Sequence, residues 1–398
     1  MHNLLDAIKA MEDEFIAVRR DIHAHPELAF HESRTSKLIA DYLTGWGIEV
    51  HTGIGKTGVV GVLRGNRGIG AQKRAIGIRA DIDALPMEEK NSLSYASTVK
   101  GCMHACGHDG HTAILLYAAK YLSQHRDFEG TVNFIFQPAE EAPPGGAKSM
   151  IEDGFFERFP CDEIYALHNR PGLELGKVAF TKGAGFASSN PFTIRIKGKG
   201  GHAASPHQTV DPIIIAAEMI MALQTVISRH KHPDESALLS VTQVHAGSTD
   251  NIIPDEAMLN GTVRTFNMDL LGKLEANMRR IVETLPKMHG GSAELEFVRG
   301  YPVLMNWDEP YAFAISVADA VLGESNVIKN AQRRTGSEDF AYFLQKVPGT
   351  LFHLGITPAG KKTAELHNPY YDFNDEALHI GATLWIELVQ AFFARSGN

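Results

Sequence analysis

The chain has little cysteine: three residues, Cys102, Cys106 and Cys161, in 398. So small and odd a count excludes a disulfide scaffold and fits a reducing compartment, so a cytoplasmic protein is expected. No run of about 18 apolar residues occurs, and no membrane span is expected. There is no long basic stretch and the net charge is −9, so nucleic acid and anionic membrane surfaces are poor partners. Met1-His2-Asn3-Leu4 lacks the basic segment and apolar core of a secretory signal, and none is expected. Internal repeats and low-complexity tracts are missing as well. What is present is ordinary for a globular protein: 44% hydrophobic and 21% charged residues. A chain of 398 residues is too long for one small core and should form two domains.

Leu4, Ile8, Met11, Phe15, Val18 and Ile22 recur at steps of three and four. This spacing predicts one amphipathic helix, stopping near His25 because Pro26 follows. A second helix is expected over 33–46, with Gly47 as its stop. Short apolar runs then predict strands over 58–63, 75–78, 131–136 and 164–167, alternating with helices over 112–123 and 148–152. Such alternation implies an α/β fold with a mixed, mostly parallel sheet and helices on both faces. From 192 to 298 the order becomes β-α-β-β-α-β, the pattern of a ferredoxin-like α+β domain. Helices over 311–321 and 375–394 then complete the first domain. The expected division is 1–187 with 302–398 for one domain and 188–301 for an inserted one.

The densest chemistry lies in Gly101-Cys102-Met103-His104-Ala105-Cys106-Gly107-His108-Asp109-Gly110-His111. Thiolate and imidazole suit zinc and similar first-row metals. A short Cys/His tract can equally be a structural clip. Asp81 and Asp83, Glu140 and Glu141, and His168 each follow one of the expected strands. Sites in open α/β sheets form outside the carboxyl ends of strands, so these groups should converge on one edge. Adjacent carboxylates such as Glu140 and Glu141 are often just a solvated turn. Beside a metal, one can ligate while its neighbour moves a proton. His367, in Leu366-His367-Asn368-Pro369, offers one more ligand.

Seven segments carry a resemblance over nearly the whole chain. They are Asp21-Ile22-His23-Ala24-His25-Pro26-Glu27-Leu28, Arg79-Ala80-Asp81-Ile82-Asp83-Ala84-Leu85-Pro86 and Met103 to His111. Pro138-Ala139-Glu140-Glu141, Gly200-Gly201-His202-Ala203, Gly336-Ser337-Glu338-Asp339-Phe340 and His367-Asn368-Pro369 complete the set. In this order they resemble the cocatalytic metallo-amidohydrolases: hippurate hydrolases, aminoacylases, auxin-conjugate hydrolases and, more distantly, glutamate carboxypeptidases. The resemblance implies a zinc-exopeptidase-like catalytic domain with an inserted lid and dimerisation domain. It implies two divalent metal ions per subunit, with zinc, manganese, cobalt and nickel all admissible. Cys106 would bridge them, Glu141 and His367 would complete one sphere, and His108 and His168 the other. Glu140 would be the general base, and Asp81 would orient ligands. Arg79 stands where distant relatives carry the histidine of a His-x-Asp motif.

The same resemblance gives His202 as a carbonyl-polarising residue serving a neighbouring subunit, Asn251 as a substrate or oxyanion contact, and Arg264 as a carboxylate clamp. His104 and His111 would shape the site without ligating. The implied partners are a small-molecule N-acyl amino acid and a second copy of the chain. The implied reaction is metal-dependent hydrolysis of the amide of N-acyl or N-aroyl amino acids, with hippurate, cleaved to benzoate and glycine, as the foremost substrate. N-acetyl and indole-acetyl amino acids are the alternatives within the class. A catalytically silent metal-stabilised binding protein is the alternative outside it. A redox protein built on Cys102 and Cys106 is disfavoured by their Cys-x-x-x-Cys spacing.

Overall fold

The computed structural model describes residues 2–67 and 74–395. The chain divides into two compact units, one of Met1–Gly185, Met305–Gln332 and Asp339–Asn398, the other of Phe186–Leu304 and Arg333–Glu338.

The first unit opens on two helices, His2–Lys9 and Glu12–Ala24, not on the single helix that the apolar spacing predicts. Leu4, Ile8, Phe15, Val18 and Ile22 all enter one hydrophobic cluster. The apolar stripe therefore continues across the break. Glu12, Asp13 and Glu14 crowd the first turn of the new helix, where its dipole favours negative charge. Helix Ser33–Gly45 ends as expected, with Gly47 left-handed at φ +69°.

An eight-stranded sheet forms the centre of this unit, in the order Glu49–Ile54, Gly58–Arg64, Thr131–Gln137, Ala75–Asp81, Glu163–Glu174, Gly349–Thr357, Val178–Phe180 and Val327–Ile328. The four central strands run parallel, and the strand joining them on either side runs antiparallel to its central neighbour. Strand Ala75–Asp81 is buried along its whole length, as expected of a sheet covered on both faces. Val132, Phe134 and Phe136 point into the main cluster, while Asn133 and Ile135, on the opposite face, are buried too. Strand Gly349–Thr357 is wholly buried and central, and the sequence reading does not anticipate it. Helices His108–Gln124 and Ala377–Ala394 pack together against the sheet and contribute most of their residues to the core.

The second unit is a four-stranded antiparallel sheet in the order Ala237–Ala246, Glu256–Thr265, Asn190–Lys197 and Ser292–Phe297. Strand Asn190–Lys197 alternates buried and exposed residues. Its buried side meets helices Pro212–Arg229 and Met268–Met288 through residues such as Ile194, Met219, Leu223, Leu274 and Met278. Asp211 and Asn267 cap these helices by accepting from N–H groups of their first turns. A two-residue hairpin, Gly201–His202 against Ile252–Ile253, sits beyond the main sheet.

Two helices, Pro212–Arg229 and Ala377–Ala394, are long and apolar enough to cross a membrane by length and composition. Each already has an apolar partner inside its own unit.

Candidate metal centre

The site grows from the carboxyl ends of the central strands. Ala75–Asp81 terminates on Asp81, Thr131–Gln137 leads directly into Pro138 to Glu141, and Glu163–Glu174 carries His168. Gly107 supplies the bend that starts helix His108–Gln124. It is left-handed at φ +86°, and a Cβ there would lie 2.4 Å from Asn169 Oδ1 and 2.5 Å from Tyr371 Oη. Only glycine fits, and the bend delivers Cys106 and His108 from either side. His367 arrives on a separate loop, left-handed at φ +61°, and its N–H donates to the Ala105 carbonyl at 2.8 Å.

Second-layer hydrogen bonds fix which ring nitrogens face inward. His108 Nδ1 donates to the Asp83 carbonyl at 2.9 Å, with Asp83 Oδ1 at 3.2 Å. Its Nε2 is buried and has no hydrogen-bond partner among the described residues. His168 Nδ1 donates to the Asn169 carbonyl at 2.8 Å, which leaves Nε2 3.5 Å from Cys106 Sγ. His367 Nε2 lies 3.0 Å from Glu141 Oε1. Cys106, His108 and Glu141 offer donor atoms within 4.8 Å of one another, and His108 and His168 do the same with Asp81. Glu140 is buried beside them. Leaving such atoms unsatisfied costs about 1–3 kcal/mol each. A cation among them removes that penalty, so the donor set fits a metal.

His111 behaves differently. Its Nδ1 donates to Asp81 Oδ1 at 2.6 Å, and its Nε2 accepts from the Asn169 N–H at 2.9 Å. Although it lies within the donor cluster, both of its nitrogens are engaged by protein. Asp81 also accepts from Arg79 Nη1 at 2.7 Å, and Arg79 reaches Gln137 Oε1 at 2.8 Å and Asp339 Oδ1 at 3.1 Å. The guanidinium at position 79 thus anchors Asp81.

Burial dominates the electrostatics, and at His108 and Glu141 specific partners reverse its sign. Burial pushes the Cys106 thiol well above its usual range, and Glu141, Glu140 and Asp81 push the same way. Burial also works against charge on His108, yet Asp81 and Asp83 hold it up to about 10. His168 is driven well below its ordinary value by burial and by His111. Burial raises the Glu141 carboxyl, but His367 and His108 bring it below its ordinary value. His104 is buried without a hydrogen-bond partner among the described residues, and burial depresses it to about 3.

Two histidines at the end of helix Glu12–Ala24 differ in role. His25 Nδ1 donates to the Asp21 carbonyl at 2.8 Å, close to the helix terminus. His23 faces two carboxylates. It is buried, with Nδ1 2.8 Å from Asp109 Oδ2 and Nε2 3.3 Å from Glu89 Oε1. Arg19 Nε donates to the same Asp109 oxygen at 2.8 Å, so the residue after His108 is clamped from helix Glu12–Ala24.

His202, Asn251 and Arg264 lie in the second unit. His202 pairs with Ile252, and the Ala203 N–H donates to the Asn251 carbonyl at 3.0 Å, which brings those two together. His202 is exposed, and its Nδ1 accepts from the Ala204 N–H at 3.0 Å. Arg264 stands at the far end of strand Glu256–Thr265, about 26 Å from Glu256 at 3.3 Å per residue. It lines a cavity of about 290 Å³ with Lys231, Ser236, Phe266 and Thr335. Its Nη1 is buried with no hydrogen-bond partner among the described residues. Burial also pulls its pKa down. This guanidinium fits an anionic group from outside the unit.

Residues 77–391 match the family described as Peptidase family M20/M25/M40. The hippurate hydrolase of Campylobacter jejuni is 40% identical over 386 residues, covering 97% of this chain and 98% of that protein. The N-acetylcysteine deacetylase of Bacillus subtilis is 40% identical over 384 residues, covering 96% and 97%. A solved structure, the Bacillus subtilis YXEP protein, described as a dinuclear metal binding peptidase from the M20 family, has a TM-score of 0.83 at 35% identity. It covers 98% of this chain and 99% of that one. With a match over most of its length and relatives this similar, the chain belongs to peptidase family M20/M25/M40.

Proposed function

We propose that this chain is a two-metal amidohydrolase that cleaves the amide bond of N-acyl and N-aroyl amino acids, with hippurate as its foremost substrate. One observation carries the reading. Cys106, His108, Glu141, His168 and His367 meet at one sheet edge, their donor atoms turned toward one another, with buried Glu140 alongside. Cys106 would help to hold both ions. Its sulfur lies 3.5 Å from His168 Nε2 and within 4.8 Å of donor atoms of His108 and Glu141. Glu141 and His367 would complete one sphere, and His108 and His168 the other. The ions, when bound, would polarise the scissile carbonyl and acidify a water molecule. Glu140 takes the proton from that water and returns it to the departing amine nitrogen. Asp81 keeps its charge through Arg79 and orients the ligand set. Arg264 grips the substrate carboxylate, while His202 and Asn251 face the carbonyl oxygen.

A panel of hippurate, N-acetyl and indole-acetyl amino acids, run with zinc, manganese, cobalt and nickel, tests the reading. Free amino acid should appear from hippurate. A chain that holds two ions and binds the panel without turnover would be a metal-stabilised binding protein instead.

The separation of His202 from Arg264 along the second unit favours a homodimer in which His202 serves the partner subunit. Glu140→Ala and His202→Ala should each be nearly inactive alone. Unfolded and refolded together, they should regain about a quarter of wild-type activity, because about half the dimers are mixed and each of those has one intact site. No recovery in demonstrated mixed dimers would reject the shared site.

A further inference from the structure

Glu32 is fully buried at the position just before helix Ser33–Gly45, yet its side chain does not cap that helix. Glu27 does so instead, its carboxylate accepting from the Arg34 and Thr35 N–H groups at 2.9 and 2.8 Å. Glu32 reaches 107 residues along the chain. Its Oε1 accepts from the Ala139 N–H at 2.8 Å and from the Phe30 N–H at 3.0 Å. Its Oε2 accepts from the Thr57 hydroxyl. Phe30 and Ala139 are both non-glycine residues in the left-handed region, at φ +63° and +50°. Such residues persist only where the surroundings over-determine them. Ala139 directly precedes Glu140. On the other side of Glu140, the Glu141 N–H donates to Asp83 Oδ2 at 3.0 Å. The N–H groups of both neighbours of Glu140 are therefore tied to buried carboxylates.

We propose that Glu32 is a positioning residue for Glu140: by holding Ala139 in its left-handed conformation, it sets the direction of the Glu140 carboxylate. This rests on Glu140 as the proton carrier. What Ala139 and Phe30 require of position 32 is an acceptor. Burial raises the Glu32 carboxyl, while its hydrogen bonds from the Thr57 hydroxyl and the Ala139 N–H pull the other way. A glutamine can present its carbonyl to both N–H groups while the Thr57 hydroxyl turns to accept from its amide.

The test compares Glu32→Met, Glu32→Gln, Glu32→Asp and the double variant Glu32→Met/Ala139→Gly on the best substrate of the panel. Glu32→Met should keep its metal content and a KM within about threefold. It should lose about 10–100-fold in kcat, part of the ~10²–10⁴ that general acid–base catalysis supplies, and the acid limb of its kcat–pH profile should move. Glu32→Gln should stay within about threefold of wild type. Ala139→Gly should recover part of the loss, because glycine adopts that φ unaided. Wild-type kcat and an unmoved acid limb in Glu32→Met would overturn the proposal, as would an equal loss in Glu32→Gln. If Glu32→Met does not fold, Glu32→Asp keeps the charge but withdraws the acceptor, and wild-type kcat there overturns it equally. Glu140→Ala runs alongside. If that variant stays active, the role of Glu140 falls and this inference with it. If it is dead while Glu32→Met is unaffected, only the positioning role falls.

Discussion

Glu140→Ala is expected to keep its metal and lose its turnover, while Glu141→Ala loses the metal itself. The two residues are neighbours in sequence but not equivalent in space. Glu141 Oε1 lies 3.0 Å from His367 Nε2, its backbone is tied to Asp83, and its carboxyl is held in the ionised form a ligand needs. Truncating it removes the only carboxylate of the proposed ligand set. Glu140 is buried beside the set without belonging to it. Truncating it leaves every donor in place and deletes the proton carrier, which should slow turnover by at least ~10²-fold. Metal analysis beside steady-state kinetics separates the two. If Glu140→Ala were the variant that lost metal, the two roles would be exchanged.

Metal removal should abolish hydrolysis, and re-addition should restore it, with an affinity that climbs steeply with pH. In the metal-free protein Cys106 is held as a thiol well above its usual range, and His108 is held protonated up to about 10. Both must lose a proton to ligate. Binding therefore releases protons, and apparent affinity rises with pH while these groups remain protonated in the free protein. With both still protonated the rise approaches ~100-fold per pH unit, and it flattens as His108 titrates. Competition against a chelator of known affinity at several pH values reads the slope. Calorimetry in buffers of different ionisation enthalpy counts the protons. A flat affinity across neutral pH, or full activity in thoroughly metal-free protein, would sink the assignment of Cys106 and His108 as ligands.

Much of this arrangement is legible in the amino-acid sequence, because its signals are local. Short apolar runs locate three of the four central strands, and helical patterns locate the two helices of the second unit. The motifs at 104–111, 138–141 and 367–369 carry their donors on short segments. What escapes the sequence is pairing at a distance. Strand Gly349–Thr357 is an apolar, β-branched and aromatic run, but His353 in its middle and flanking helical patterns mask it. Asp83, Asn169 and Asp339 lie inside segments that are recognisable from sequence, yet nothing local reveals that Asp83 aims His108 or that Asp339 holds Arg79. Glu32 carries no signal at all, since its partner is 107 residues away. The break between the first two helices is hidden for the opposite reason: periodicity reports which side is buried and not whether the backbone is continuous.

The order of the chain also constrains its assembly. Strand Glu163–Glu174 takes one neighbour, Ala75–Asp81, from earlier in the chain and the other, Gly349–Thr357, from beyond the entire second unit. Four of the five proposed ligands are likewise synthesised before that unit, and His367 comes after it. During synthesis the second unit's sheet, built from 190–297, has all its strands before the first unit has its own. A nascent chain halted near residue 300 would carry all four strands of the second unit's sheet and an open, unpaired edge on Glu163–Glu174. Such an edge is a template for association with other chains. Chains truncated ahead of Gly349 should therefore aggregate through the first unit, leaving the second one folded.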